Sequence, residues 1–236
     1  MKTIFIGDIH GRDIWKKIVE SEKADRVVFI GDYFDSFDIG SAEQQYNFKE
    51  IIEFKEKGEC EVIMLIGNHD FHYINTYEVY SGFQRSAGPA IQLLIKENLH
   101  HLQMCYEMDN ILCSHAGIGY DWLVNQNRYK EGESISNFVN EIWKYKPRNF
   151  EFNGIFDPTG DDIMQTPIWI RPISLMSGNK NTFLNDQYIQ VVGHTEVKEM
   201  PMKLMLENKL FLIDALPVGN YLIYEENYFM IGVVSG

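Results

Sequence analysis

Five short apolar runs, at residues 3–6, 26–30, 61–66, 111–113 and 188–192, each end on a polar patch. The patches read Gly7-Asp8-Ile9-His10-Gly11, Gly31-Asp32-Tyr33-Phe34-Asp35, Gly67-Asn68-His69-Asp70, Ser114-His115-Ala116-Gly117 and Gly193-His194-Thr195. Runs such as Val27-Val28-Phe29-Ile30 are continuously apolar, which suits parallel strands covered on both faces. Between them the period changes to that of helices. Residues 13–21 place Ile14, Trp15, Ile18 and Val19 on one face, and residues 42–57 do the same with Phe48, Ile51, Ile52 and Phe54. Gly88-Pro89-Ala90-Ile91 opens a third helix that ends near Asn98. The last third differs: 210–213, 221–224 and 228–234 read as short strands, with Asn227 in a turn. The pattern is a βαβα half followed by a strand-rich half, an α/β class without internal repeats. Ligands of open α/β sheets collect beyond the carboxyl ends of the strands, so five strands in one sheet system would bring the five patches together.

Residues 119–166 carry none of these patches. They hold two expected helices, 120–126 and 135–145, then Pro147, Pro158 and Gly160 in a polar stretch. The segment reads as packing and lid together, because long connections often carry function. A length of 236 residues then accommodates one domain, 1–236, with this insertion.

Charge narrows the partners. A formal net charge of −13 repels nucleic acid and anionic membrane, so nonspecific binding to either is excluded. Any phosphate ligand then needs a locally positive site. Cys60, Cys105 and Cys113 are odd in number and lack C-x-x-C spacing, which argues for packed, reduced thiols. The first apolar run is interrupted by Asp8, too soon for a signal sequence, and no run approaches the ~20 residues that span a bilayer. The expected compartment is the cytoplasm.

The patches supply oxygen and nitrogen donors and no sulfur. Asp8 and His10 are one residue apart and can reach one cation, Asp32 has two oxygens with which to bridge two, and Asn68, His115 and His194 add a carbonyl and two imidazoles. Such donors favour Mn²⁺, Fe, Zn²⁺ or Mg²⁺ over Cu(I) or an iron–sulfur cluster. Two cations ~3.5–4 Å apart can clamp a phosphoryl group and acidify a water between them. His69 beside Asp35 would be an oriented, protonated imidazole able to donate to a leaving oxygen. Arg171, one of six arginines, could grip a phosphate oxygen. Other residues take plainer readings. Asp70 is a helix cap or acceptor, His72 a structural or rim residue, and Tyr33 and Phe34 core or rim. His100 and His101 follow a helix end, and 157–162 is an exposed turn without EF-hand spacing.

On these motifs, from Gly7 to Thr195 and on through Leu212-Ile213-Asp214 and Gly219-Asn220-Tyr221, the chain resembles the calcineurin-like metallophosphoesterases. It is most similar to their phosphoprotein phosphatase branch and its small bacterial and phage members. The resemblance implies a four-layer αββα sandwich of two mixed sheets, with a dinuclear centre at the carboxyl ends of the strands. It implies Asp8 and His10 on one metal, Asp32 bridging, and Asn68, His115 and His194 on the other, with Mn²⁺ first among the candidate ions. His69 matches the proton donor, Asp35 its partner, and Arg171 a phosphate-binding arginine. The implied activity is hydrolysis of phosphomonoesters, protein or small-molecule, by a metal-bridging hydroxide. Hydrolysis of nucleotides or dinucleoside polyphosphates on the same centre is the alternative, and a non-catalytic metal-bound scaffold a third. Two positions depart from the pattern: Ser36 and Phe37 stand where the branch has arginine and glycine, and Glu196 where diesterases have a histidine. Loss of that guanidinium would cost about 1.5–3 kcal/mol of charged hydrogen bonding unless Arg12, Arg85 or another residue replaces it.

Overall fold

In the computed structural model, residues 1–75, 78–154, 159, 161–177, 182–198, 202–204 and 209–234 are described. The first half runs β1 (Thr3–Ile6), α1 (Trp15–Glu22), β2 (Arg26–Phe29), α2 (Ser41–Lys57), β3 (Glu61–Leu65), α3 (Asn68–Ile74) and α4 (Gly88–Asn98). It continues with β4 (Leu102–Gln103), β5 (Cys105–Met108), β6 (Ile111–Ser114), α5 (Ile135–Tyr145), α6 (Pro172–Met176) and α7 (Thr182–Gln187). The last third holds β7 (Ile189–Glu196), β8 (Met202–Leu204), β9 (Leu210–Asp214), β10 (Asn220–Glu225) and β11 (Tyr228–Val233).

The strands form a six-stranded sheet, β11-β10-β1-β2-β3-β4, and a five-stranded sheet, β5-β6-β7-β9-β8. Both are mixed. β1, β2, β3 and β4 run parallel, β10 pairs antiparallel with β1, and β11 pairs antiparallel with β10; β6, β7 and β9 run parallel between antiparallel β5 and β8.

Alternation along each strand builds the layers. Phe5, Val28, Ile30 and Leu65 of the first sheet meet Ile111, Cys113, Val191, Phe211 and Ile213 of the second in one buried cluster. The intervening residues Ile4, Ile6, Val27, Phe29 and Met64 face the other way, onto Trp15, Ile18, Phe48, Ile51 and Ile91 of the helices. On the far side of the second sheet, Val192, Leu210 and Leu212 pack on Leu175 of α6. The result is two mixed sheets flanked by helices, as expected.

Local chemistry sets the helix ends. α2 stops at Gly58, whose φ of 67° is left-handed and whose N–H bonds the Lys55 carbonyl. Pro89 opens α4, and Ser134 caps α5 by accepting the Asn137 N–H. The structure differs from expectation in three places. α3 was not legible, because seven residues carry too little period. Residues 121–126 coil as a π-helical turn, with the Asn127 N–H reaching back five residues to the Trp122 carbonyl. β5 mixes polar and apolar positions and pairs through β6 rather than through a run of its own. No helix of the described residues is long and apolar enough to cross a membrane.

Most of the insertion packs against the body. Trp143 lies 5.9 Å from the Phe71 ring, Asn140 accepts the Met104 and Cys105 N–H groups, and Asn75 donates to Glu151. Its far end turns toward the strand ends, where the Phe152, Tyr80 and Trp169 rings pack edge to face with centroids 4.5–6.0 Å apart. The residues 157–162 lie partly outside the described residues; within them, Asp161 accepts the Ser174 N–H and hydroxyl at the start of α6.

Candidate metal centre

The loops after β1, β2, β3 and β6 and the end of β7 meet where the two sheets' carboxyl ends adjoin. Their backbone is strained to do so. His10, Asp32, Asp35 and His194 all take left-handed φ values, of 42°, 52°, 64° and 63°. Such values cost energy outside glycine and gather at functional sites. At His194 the register of β7 shifts between Val192 and Glu196, a bulge that turns the side chain inward. Two glycines make room: a Cβ at Gly67 would sit 2.0 Å from Asp32 Oδ1, and one at Gly193 2.0 Å from Asp8 Oδ1.

Within this space Asn68 Oδ1 lies 2.9 Å from His115 Nε2 and 2.8 Å from His194 Nδ1. Asp32 Oδ2 lies 3.3 Å from His115 Nε2 and 3.8 Å from His10 Nε2. Both Asp8 oxygens accept the His194 N–H at 3.1 Å. Asp8, Asp32 and His115 form one compact buried set whose donor atoms could share an ion. Backbone carbonyls orient two rings, Phe34 on His10 Nδ1 at 2.6 Å and Ile30 on His115 Nδ1 at 2.9 Å.

The electrostatics are lopsided. Burial and the nearby Asp214 push the Asp8 carboxyl well above the usual range. Burial opposes ionisation of Asp32 too, but the His115 and His69 imidazoles hold it far below that range. His115 rises to about 10: burial disfavours its charge, and Asp32 and Asp8 overcome it. Burial, with His115 and Arg171, drives His194 well below the histidine range, so its ring is neutral. Its Nε2 is buried without any partner. Crowded, buried carboxylates beside a neutral imidazole fit a divalent cation, and the O/N donor set fits hard-to-borderline ions.

Beside this cage stands a second cluster. Asp35 is buried and receives His69 Nδ1 at 3.0 Å, His72 Nε2 at 2.7 Å, the Tyr73 hydroxyl at 2.5 Å and Gln84 Nε2 at 3.4 Å. Burial works against its charge, yet these donors hold its carboxyl at about 2. The His69 N–H donates to Asp32 Oδ1 at 2.8 Å, which ties the two clusters together. Burial opposes the charge on His69, but Asp32 and Asp35 carry the imidazole above its ordinary value.

Asp70 stays out of the cage. Its oxygens accept the N–H groups of Gly67, Asp32 and Tyr33, capping α3 and fixing the loop after β2. Tyr33 and Phe34 are core residues against Phe48. Arg171 Nη1 donates to the His194 carbonyl and the Thr195 hydroxyl at 3.1 and 3.3 Å, with Asp8 and Asp32 within Coulombic reach. Neither Arg12 nor Arg85 contacts Asp35 among the described residues; the carboxylate is held by Tyr73, Gln84 and the two histidines instead. Ser36 closes its own turn by accepting the Asp38 and Ile39 N–H groups, and Phe37 projects into solvent, 86% exposed.

Sequence reasoning passed over Asp214, His72 as a partner of Asp35, Tyr73 and Gln84. Asp214 carried a signal, standing as an acid at the carboxyl end of an apolar run; burial and Asp32 raise its carboxyl to about 6. Tyr73 and Gln84 carried none, since their approach to Asp35 depends on the fold of the loop after α3. Arg12 has a buried Nη1 without a partner and lines a cleft of about 970 Å³ beside Gly11, with Ile39, Tyr46, Asn47 and Leu216 on its walls.

A family model described as calcineurin-like phosphoesterase matches residues 1–198. Among solved structures, a cold-active protein-tyrosine phosphatase of a psychrophile Shewanella sp. is 17% identical, with 98% of this chain and 77% of that chain covered at a TM-score of 0.68. A metallophosphoesterase from Sphaerobacter thermophilus is 14% identical, with 100% and 89% covered at a TM-score of 0.54. No curated protein matches the chain.

Proposed function

The chain belongs to the calcineurin-like phosphoesterase family, and on that footing we propose that it hydrolyses phosphomonoesters with two divalent cations. Asp8 and His10 would hold one cation and Asn68, His115 and His194 the other, with Asp32 available to both. The observation that carries this reading is the meeting of these donors: Asn68 Oδ1 lies against His115 Nε2 and His194 Nδ1, and Asp32 Oδ2 against His115 Nε2 and His10 Nε2. When bound, the cations supply Lewis-acid activation of water and neutralise phosphoryl charge. Mn²⁺ is the first candidate, ahead of Fe, Zn²⁺ and Mg²⁺. Arg171, fixed by its Nη1 contacts to His194 and Thr195, has guanidinium donors left to bind a phosphoryl oxygen.

His69 acts as general acid. Asp35 holds its Nδ1, so the proton to be given sits on Nε2 and passes to the ester oxygen as the P–O bond breaks. His10 flanks this ring at 5.3 Å, a proximity that supports a donor role beside the cage. We read 119–166 as part of one domain, packing on α3 and reaching the site through Phe152 and Trp169. Free thiols at Cys60, Cys105 and Cys113 support a cytoplasmic setting.

Protein stripped with EDTA should not turn over p-nitrophenyl phosphate, and Mn²⁺ should restore turnover. Phosphate release is then compared across phosphoserine, phosphothreonine and phosphotyrosine peptides, nucleotides and diadenosine polyphosphates. Preference for the phosphopeptides is the expected result. Preference for the dinucleotides would replace the monoester reading. Two bound metals without hydrolysis of any member would leave a scaffold.

A further inference from the structure

His72 is the one site-facing histidine without a role so far. It is wholly buried on α3, three residues after His69, so the two rings share a helix face. The Tyr80 N–H donates to its Nδ1 at 3.4 Å, which leaves the ring proton on Nε2. That nitrogen makes a short, bent contact of 2.7 Å with Asp35 Oδ2, the same oxygen that His69 Nδ1 reaches at 3.0 Å. Around it stand Tyr73 at 4.6 Å, Phe83 at 5.0 Å and Tyr80, nearly parallel at 6.2 Å. An apolar ring would fill this space equally well, and burying a polar one costs free energy unless it has polar work.

We propose that His72 is a positioning residue for proton delivery: it pins Asp35 Oδ2 from within the core so that Asp35 holds His69 in one orientation. The proposal rests on the reading of His69 as proton donor. Asp35 Oδ1 is already fixed by the Tyr73 hydroxyl and Gln84. Oδ2 would have only the partly exposed ring of His69 without His72, and an aspartate carboxyl turns readily about its last torsion. A small misplacement of a catalytic proton costs rate, not binding. The same three side chains could be imagined around an ion, since their donor atoms cluster. However, the Tyr80 N–H on Nδ1 leaves His72 Nε2 carrying a proton and not a lone pair, so that nitrogen meets Asp35 as a donor and not as a ligand. Complete burial also keeps His72 from substrate, so it acts only through Asp35.

The test is leaving-group dependence in metal-loaded enzyme. His69→Asn, His72→Phe and His72→Gln are assayed on p-nitrophenyl phosphate, whose leaving group needs little protonation, and on an alkyl phosphate, whose leaving group needs it. His72→Phe should lower kcat on the alkyl ester on the order of 10–100-fold, as loss of an orienting partner does. On the aryl ester the loss should be less than about threefold, with KM and two metals per chain unchanged. His72→Gln, which keeps a donor near Oδ2, should recover most of the alkyl activity. Equal losses on both esters, or no difference between Phe and Gln, would overturn the proposal. Should His72→Phe fail to fold, the contrast is read between His72→Gln and His72→Met, alike in length and different in the donor. If His69→Asn itself shows no leaving-group dependence, the proton-donor reading fails and takes this one with it. If His69→Asn shows it and His72→Phe does not, only the role of His72 falls.

Discussion

Two polar clusters lie side by side at the strand ends and obey opposite rules. Around Asp35 the carboxylate meets two imidazoles, a hydroxyl and an amide, and its charge is held firmly. Around Asp8 and Asp32, two buried carboxylates are crowded with Asp214, and one neutral imidazole nitrogen faces nothing. In the first cluster the carboxylate is met by protein donors on both oxygens, His72 Nε2 alone approaching off-axis. The second is a set of donors that the chain holds together at a cost, through left-handed backbone at His10, Asp32 and His194 and through glycines that a methyl group would not fit. Buried charge is normally offset; Asp35 is offset by donors on every side, whereas Asp8 and Asp214 are pushed up by burial and their crowding, and that difference marks where a divalent cation fits.

The sharpest way to break that comparison is Asp8→Asn. Burial and Asp214 make the Asp8 anion unfavourable in the fold, while the amide keeps an oxygen for the His194 N–H. The metal-free variant should therefore be more stable than metal-free wild type, by about 0.5–2 kcal/mol, the usual gain when a functional strain is relieved. With metal the order should reverse, because wild type gains binding energy that the variant lacks. kcat/KM should fall by more than about 10³-fold, or about 4 kcal/mol of transition-state stabilisation. Thermal unfolding with EDTA and with Mn²⁺ reads both signs. An apo midpoint below wild type would show that the cage is not strained.

Tyr73→Phe should behave in the opposite manner. The hydroxyl donates to Asp35 Oδ1 and accepts the Gln84 N–H at 2.9 Å, so its loss strands that N–H and leaves Oδ1 with only the longer Gln84 Nε2 contact. A charged hydrogen bond of this kind contributes about 1.5–3 kcal/mol, and the unfolding midpoint should drop by on the order of 5 °C. The drop should be equal with and without metal, and metal content should stay the same. A loss that appears only in one metal state would merge the two clusters into one.

How much of this was legible in the sequence follows the same division. The cage could be read because each donor ends an apolar run, and strand ends of one sheet system converge. Asp8, His10, Asp32, Asn68, His115 and His194 all come from such ends, and β1, β2, β3, β6 and β7 lie where the apolar runs put them. Asp214 ends a run as well and was passed over because no histidine or glycine flagged it. The Asp35 cluster was only half legible. His69 and Asp35 sit in the polar patches, but Tyr73 and Gln84 are brought in by a short helix with too little period to detect and by an irregular loop. His72 read as structural, and nothing in its spacing announced that a carboxylate would share its oxygen between two rings. The replacement of arginine by Ser36 also resolves only in three dimensions, where Ser36 closes its own turn and other side chains hold Asp35.

The smallest expected effect comes from the opposite end of β1, where a third polar cluster serves as a control that has no stake in metal. Lys2 Nζ and the Tyr221 hydroxyl both donate to the Glu22 carboxylate. Burial favours the neutral acid, but the hydrogen bonds from Lys2 and Tyr221 win and hold Glu22 below its ordinary range. A depressed carboxyl stabilises the fold above the unfolded-state value, about 4.3 for glutamate, and the contribution disappears as pH falls toward the folded value. Lys2→Met should therefore lower the unfolding midpoint by only a degree or two at pH 7, in line with about 0–1 kcal/mol for a surface pair. The gap to wild type should close between about pH 5 and pH 3, where Glu22 protonates in the unfolded chain. It should be the same in EDTA and in Mn²⁺, unlike that of Asp8→Asn. A gap that persists unchanged to pH 3 would mean that the lysine acts through its aliphatic packing and not through the Glu22 charge.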